Sequence, residues 1–360
     1  MPHQIRSKAA GLVRWLPILL LTACASAPDP VPAFKPPVYP APPDEARFIF
    51  EQTLRYSTNV QAPDKLSKLR LFATGERPEI KGLVKPFGVV AHKGRVYVSD
   101  TVQRRIILFD IAGKRYLEFG LEAPGELQKP IGLDISSRDE LFVADISARR
   151  IVVFDLDGNF KRFIGDPALL KRPGGVSVSP DGQKLYVIDT GGVDNDAHHL
   201  YIFDAQSGEL LATIGQRGTE PGNFNLPLQV ATAADGTVYV VDKGNFRVQA
   251  FDEQGRYLRS FGTVGRLPGQ FFSPKGIATD AAGNVYVVDT AFGNVQIFNA
   301  QGQLLMVIGQ RGQSSAPGNY MLPAGVDVDE QGKVYITDQF FRKVDIFRPV
   351  GLKEPASSPP

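Results

Sequence analysis

The chain has one cysteine, Cys24, in 360 residues, so it can form no internal disulfide and no cysteine metal cluster. It has one tryptophan, Trp15, and four histidines, one of which, His3, lies at the extreme N-terminus. With Cys24 near the start and histidine this scarce, no Ser/His/Asp or Cys/His catalytic set can be assembled. Charge of one sign is also missing: the formal balance is +2. No apolar run is long enough to span a bilayer. What remains, 43% apolar and 22% charged residues, is an ordinary soluble composition able to build a large core.

The longest apolar run, Trp15 to Leu21, follows Arg6, Lys8 and Arg14 and precedes small residues, the layout of an export signal over residues 1–23. Losing its three positive side chains turns +2 into −1, so the remainder has no general attraction for nucleic acid. Pro28 to Pro43 holds eight prolines and reads as an extended tether over 24–45. At roughly 3 Å per residue it would reach some tens of ångströms.

From residue 85 to 350 one pattern is copied six times. Val285-Tyr286-Val287-Val288-Asp289 returns with its final acid at Asp100, Asp145, Asp189, Asp242 and Asp338. Successive acids lie 45, 44, 53, 47 and 49 residues apart, a period of propellers or solenoids. A second apolar run follows, ending at Phe109, Phe154, Phe203, Phe251, Phe298 and Phe347. Another precedes, opened by Pro86, Pro130, Pro173, Pro227, Pro274 and Pro323. Turn residues such as Ala282-Gly283 and Gln301-Gly302 separate four strands per copy. The Val-Tyr-Val strand lacks polar alternation, as expected of a sheet covered on both faces by its neighbours. The fold class is therefore all-β: a six-bladed propeller of four-stranded antiparallel blades. The sixth copy stops after Phe347 without a fourth strand. The segment 46–84 should close that blade, through Arg47 to Leu54, with Arg70 to Thr74 as the alternative. Asp64 after Pro63 should cap a short helix carrying Leu66, Leu69 and Phe72. Residues 351–360 form a polar tail.

Trp15 lies in the signal, which excludes WD40 blades, and only Gly174-Gly175 and Gly191-Gly192 resemble the doublets of kelch blades. Asp242-Lys243-Gly244-Asn245-Phe246-Arg247-Val248-Gln249-Ala250-Phe251 and Pro274-Lys275-Gly276-Ile277-Ala278-Thr279-Asp280 resemble the NHL repeat, over about residues 84–349. Leu21-Thr22-Ala23-Cys24 resembles the bacterial lipobox. That implies acylation of Cys24, a bilayer anchor, and, with Ala25 after it, an outer-membrane position facing the periplasm.

Four groups of residues invite a functional reading. The repeated Asp serves its turn by bonding backbone N–H groups. Arg104, Arg105, Arg149, Arg150, Arg247, Arg342 and Lys343 follow it and offer a basic rim for an acidic partner. In NHL propellers the position five after the Asp commonly serves in ion pairs instead, and Asn294 and His199 interrupt the series. The longer third-blade loop holds Asp194, Asp196, His198 and His199, a loose metal-ligand set. In six-bladed lactonase-like and amidating-lyase-like enzymes, ligands come from the innermost strands. Here only Asp134 and Asp327 stand at the matching positions. The reading favoured is a non-enzymatic scaffold binding an envelope protein or polysaccharide, with no cofactor. The alternative is a hydrolase or lyase with a metal at the central channel.

Overall fold

The computed structural model describes residues 34–62, 73–75, 79–192 and 195–352. The repeats all belong to the unit that begins at Pro36. Cys24, the export signal and the helix expected after Pro63 lie outside the described residues. Among the described residues no helix is long and apolar enough to cross a membrane.

Each repeat proline opens an innermost strand, the position where a missing N–H costs the ladder least. These strands are Pro86–His92, Pro130–Ile135, Pro173–Val178, Pro227–Thr232, Pro274–Thr279 and Pro323–Val328. Each pairs antiparallel with a second strand ending at the repeated Asp, as in Pro274 opposite Asp289 and Thr279 opposite Val285. In blade five the third and fourth strands are Asn294–Phe298 and Leu304–Ile308, joined through the Gln301-Gly302 turn read from the sequence. Second strands such as Val285–Asp289 are buried at every residue, whereas the outermost Leu210–Ile214 is largely exposed.

Six hydrophobic clusters hold the ring, one at each boundary between blades. Val143 and Val152 of blade two pack with Tyr97 and Leu108 of blade one. The last boundary closes the circle: Val89, Val96 and Val98 of blade one meet Tyr335, Val344 and Ile346 of blade six. Burying side chains of this size contributes about 1.5–3 kcal/mol each.

Blade six takes its fourth strand from the N-terminal side. Phe48–Leu54 pairs antiparallel with Lys343–Pro349, Phe48 opposite Pro349 and Leu54 opposite Val344. The closing strand lies where the sequence reading put it, one residue shorter at its start. The part of the expected tether nearest this strand is docked. Val38–Tyr39 adds a further short strand outside Phe48–Ile49. The Tyr39 ring meets Phe347 edge-on at 5.5 Å, an apolar contact that a free tether would forgo.

The connections between blades sit at the end of the disc that carries the Pro and Asp residues, called here the loop end. They share a device: Gly215 (φ 74°) faces the buried Phe224, and a Cβ there would stand 2.6 Å from the ring. Only glycine suits both that backbone and that closeness. The opposite, hairpin end carries the tight turns between first and second and between third and fourth strands.

Candidate functional site

The repeated carboxylates are structural. Asp145 accepts N–H groups from Gln128 and Lys129 before its blade's first strand, and from Ser147 and Ala148 after its second. Asp100 and Asp289 do the same. Each acid thus fastens a connection to a turn at the loop end, and is fully buried in doing so.

The basic residues that follow divide into two sets. Arg105 Nη1 donates to Glu118 Oε2 at 2.6 Å. The Arg150 guanidinium lies 3.8 Å above the Phe163 ring. Arg247 pairs with Asp242 at 2.9 Å and reaches Asn223 O. Lys343 is fully buried against Asp345 at 2.6 Å, so it presents nothing at the surface. These four hold their own blades together. Arg104, Arg149 and Arg342 instead project from the turn in the left-handed conformation, with φ of 58°, 55° and 54°, and are exposed.

The third-blade loop does not converge. His198 is fully buried; its Nδ1 accepts the Leu226 N–H at 3.2 Å, which leaves Nε2 to donate to Gly192 O at 3.1 Å. His199 Nδ1 bonds Gly215 O at 2.7 Å. Two imidazoles spent on separate carbonyls are not poised around one ion. Asp194 lies outside the described residues. Among those described, no three His, Cys, Asp or Glu residues are grouped so as to hold a metal.

Asp134 and Asp327 do reach the axis. Both line a cavity of about 270 Å³ along it, with Ser177, Gln229, Thr232 and Thr279. Each is also bonded to the blade ahead. Asp327 Oδ2 accepts the Ala91 N–H at 2.7 Å, and Asp134 Oδ2 accepts the Val178 N–H at 2.7 Å. Burial pushes the Asp134 carboxyl up to about 6 against those bonds. Burial, with the charge of Asp134 adding, pushes Asp327 up to about 8. A carboxyl surrounded by protein in this way favours its neutral form. Near neutral pH Asp327 is therefore mostly protonated and Asp134 mostly charged.

The sequence reading did not single out the surface of the loop end. Val102, Leu121, Val264, Leu267, Phe272 and Phe340 are 45–68% exposed there, in turns after the second strand or in connections. Among the described residues, the hairpin end shows only Val350 as a large exposed apolar side chain; Leu322, Ile80 and Tyr56 lie toward the loop end as well, and the rest are on outermost strands or near the chain's start. Exposed Arg104, Arg149 and Arg342 share the loop end, and Arg266 lies 5.7 Å from the Phe272 ring.

A family described as a 6-bladed beta-propeller matches residues 279–347, and the NHL repeat matches residues 224–251. The chain is a six-bladed propeller, and one of its copies, residues 224–251, matches the NHL repeat. Human NHL repeat-containing protein 3 is 35% identical over 96 residues, 24% of this chain and 28% of its own length. The chain thus matches little more than a quarter of that relative. Among solved structures, a gluconolactonase from Xanthomonas campestris superposes with a TM-score of 0.57 at 19% identity, covering 74% of this chain and 86% of its own. A catalytically inactive virginiamycin B lyase from Staphylococcus aureus, bound to quinupristin, gives 0.53 at 15%, covering 73% and 94%. At such identities this propeller shares a fold with these enzymes, and fold alone does not carry activity.

Proposed function

We propose that this NHL propeller is a lipid-anchored scaffold of the bacterial envelope that docks an acidic protein partner on its loop end. The observation that carries the reading is the one-sided surface: exposed Val, Leu and Phe side chains interleaved with exposed arginines at one end of a rigid disc. Apolar patches rimmed by charge mark docking surfaces, and arginine is suited to carboxylates. The ring holds its turns in place, so little ordering is lost on binding. Arg104, Arg149 and Arg342 form the reduced basic rim, joined by Phe272, Leu267 and Phe340. The Leu21-Thr22-Ala23-Cys24 sequence supports acylation of Cys24, with Ala25 supporting the outer membrane. More than one acyl chain would make that anchoring stable. Two variants test the halves separately. Cys24→Ser should move the protein from the membrane to the soluble fraction. Leu267→Asp with Phe340→Asp should abolish the partner band in crosslinked intact cells; an unchanged band would refute loop-end docking.

A second reading rests on the axial cavity. A neutral Asp327 beside a charged Asp134 is the pairing that general acid–base chemistry uses. Against it, both carboxylates already accept backbone N–H groups. Lactone hydrolysis by the purified protein, lost in Asp327→Ala, would favour this enzyme over the scaffold.

A further inference from the structure

Two hollows lie at the axis of the disc. The one described above, of about 270 Å³, is lined by all six innermost strands. The other, of about 310 Å³, shares Asp134, Ile135, Thr232 and Thr279 with it and adds Ser137, Ser179 and Asp280 from the hairpin turns. The axial space thus leads toward the hairpin end, opposite the proposed docking surface.

Six copies of one strand should present six like residues to the axis, and two positions break that rule. Two residues after the proline, five copies carry glycine: Gly88, Gly132, Gly175, Gly276 and Gly325. Packing demands it, because a Cβ on Gly132, Gly276 or Gly325 would stand 2.5–2.6 Å from a carbonyl oxygen of the next blade. Blade four carries Gln229 instead, and Gln229 lines the cavity. Its Nε2 donates to Gly174 O at 3.2 Å, while among the described residues nothing donates to its Oε1. Three residues further on, four copies carry Ala91, Ile135, Val178 and Val328, but blades four and five carry Thr232 and Thr279. Thr279 Oγ1 donates to Thr232 O at 3.0 Å, which leaves its lone pairs free to accept.

The charges exclude most ligands. Neither hollow is lined by a lysine or arginine, so an anion would meet carboxylates and nothing to hold it. A cation fits little better. The Asp134 carboxylate already accepts Ile135 N–H, Val178 N–H and the Ser177 hydroxyl, and Asp327 is mostly protonated near neutral pH. What remains is a wall of amide, hydroxyl and carboxyl groups, suited to a neutral molecule dense in hydroxyls. Each hollow stands near the lower limit of ligand pockets, about 300–1,000 Å³, which gives room for one ring and not for a length of polymer.

We propose that the axial cavity, entered from the hairpin end past Thr232 and Thr279 and reaching Gln229, binds a single neutral sugar or polyol. The site requires neither a loop-end partner nor lactone turnover. Its occupant is a free sugar or the terminal residue of a glycan, and the two can be told apart.

The probes are D-glucose, D-galactose and myo-inositol, titrated calorimetrically into the full chain near pH 7. Spermidine and calcium serve as cations beside them, and gluconate as an anion. Saturable binding of at least one neutral probe is expected, with none of the charged ones. Gln229→Gly gives blade four what the other five copies carry, so the ring should still melt cooperatively. Sugar affinity should nevertheless fall about threefold to tenfold, the effect of losing one hydrogen bond. Thr279→Val, close in shape, should weaken binding to a similar extent. Displacement of the bound sugar by its own oligosaccharides identifies a glycan end, and failure to displace it identifies a free sugar. No saturable heat with any neutral probe, saturation by spermidine or calcium alone, or full affinity in both variants overturns the proposal.

Discussion

Ser177 Oγ donates to Asp134 Oδ2 over 3.1 Å, and the two residues occupy the same place in neighbouring blades. Ser177 Oγ in turn accepts the Thr232 N–H of the next blade at 3.0 Å, as Asp134 accepts Val178 N–H and Asp327 accepts Ala91 N–H. Wherever this position is polar, it fastens its blade to the next. The axial acids are thus staples first, and their protonation is tied to ring stability.

That tie has a sign. The native carboxyls titrate near 8 and 6, above the ordinary aspartate value of about 3.9. Between those limits the unfolded chain holds fewer protons than the folded one, so stability falls as pH rises from about 4 to about 8 and then levels. Asp134→Asn with Asp327→Asn should remove this slope while keeping an acceptor at each staple. Melting temperatures at pH 5 and pH 8.5 check it, with the variant gaining on the wild type at the higher pH. An equal offset at both would contradict the assignment.

The closing strand makes a second prediction. Leu54 is fully buried among Leu83, Val96 and Val344, where blade six meets blade one. Leu54→Ala should cost about 2–5 kcal/mol, and deleting residues 44–60 should lower the melting temperature sharply. A deletion variant that melts like the wild type would mean the ring does not need this strand.

Arg342 and Lys343 are adjacent, and their substitutions should diverge. Arg342 is exposed at φ 54°, a backbone that glycine adopts freely and that Gly293 supplies in blade five at φ 67°. Arg342→Gly should leave stability unchanged or slightly raised. Lys343→Met strands the fully buried Asp345, which also accepts the Thr53 hydroxyl and the Gly318 N–H, and should cost about 3–5 kcal/mol. Denaturant unfolding of both variants reads the contrast directly.

The proposed rim should be sensitive to salt. Exposed charges are screened within about 8 Å at physiological ionic strength. Partner capture by the loop end should weaken as salt is raised. The triple change Arg104→Gly, Arg149→Gly and Arg342→Gly should reduce both capture and its salt dependence, with the melting temperature unmoved. Capture indifferent to salt and to these changes would remove electrostatics from the docking.

Blade number, strand order and the closing strand were legible because the pattern is repeated in register. Six prolines and six aspartates mark equivalent ends, and an incomplete last copy demands a strand from elsewhere. What lies across a blade boundary was not legible. Spacing placed Asp134 and Asp327 on the axis but gave no sign that Val178 and Ala91 would meet them. Lys343 read as part of a basic rim because its partner Asp345 shares its strand and its burial depends on a segment some 290 residues away. Lys275 was placed correctly beside its proline. Its contact with the Phe87 ring of blade one joins two copies far apart in the chain, and only the assembled ring discloses it.

The pairing of Phe48–Leu54 with Lys343–Pro349 also sets an order of events in time. A ribosome adding about 5–20 residues per second needs roughly 15–60 s to travel from one strand to the other. For that interval the earliest strand lacks its mate on the blade-six side, and the growing ring is a spiral with two sticky edges. Whatever meets the nascent chain first must keep those edges apart, and release them only when the final blade arrives.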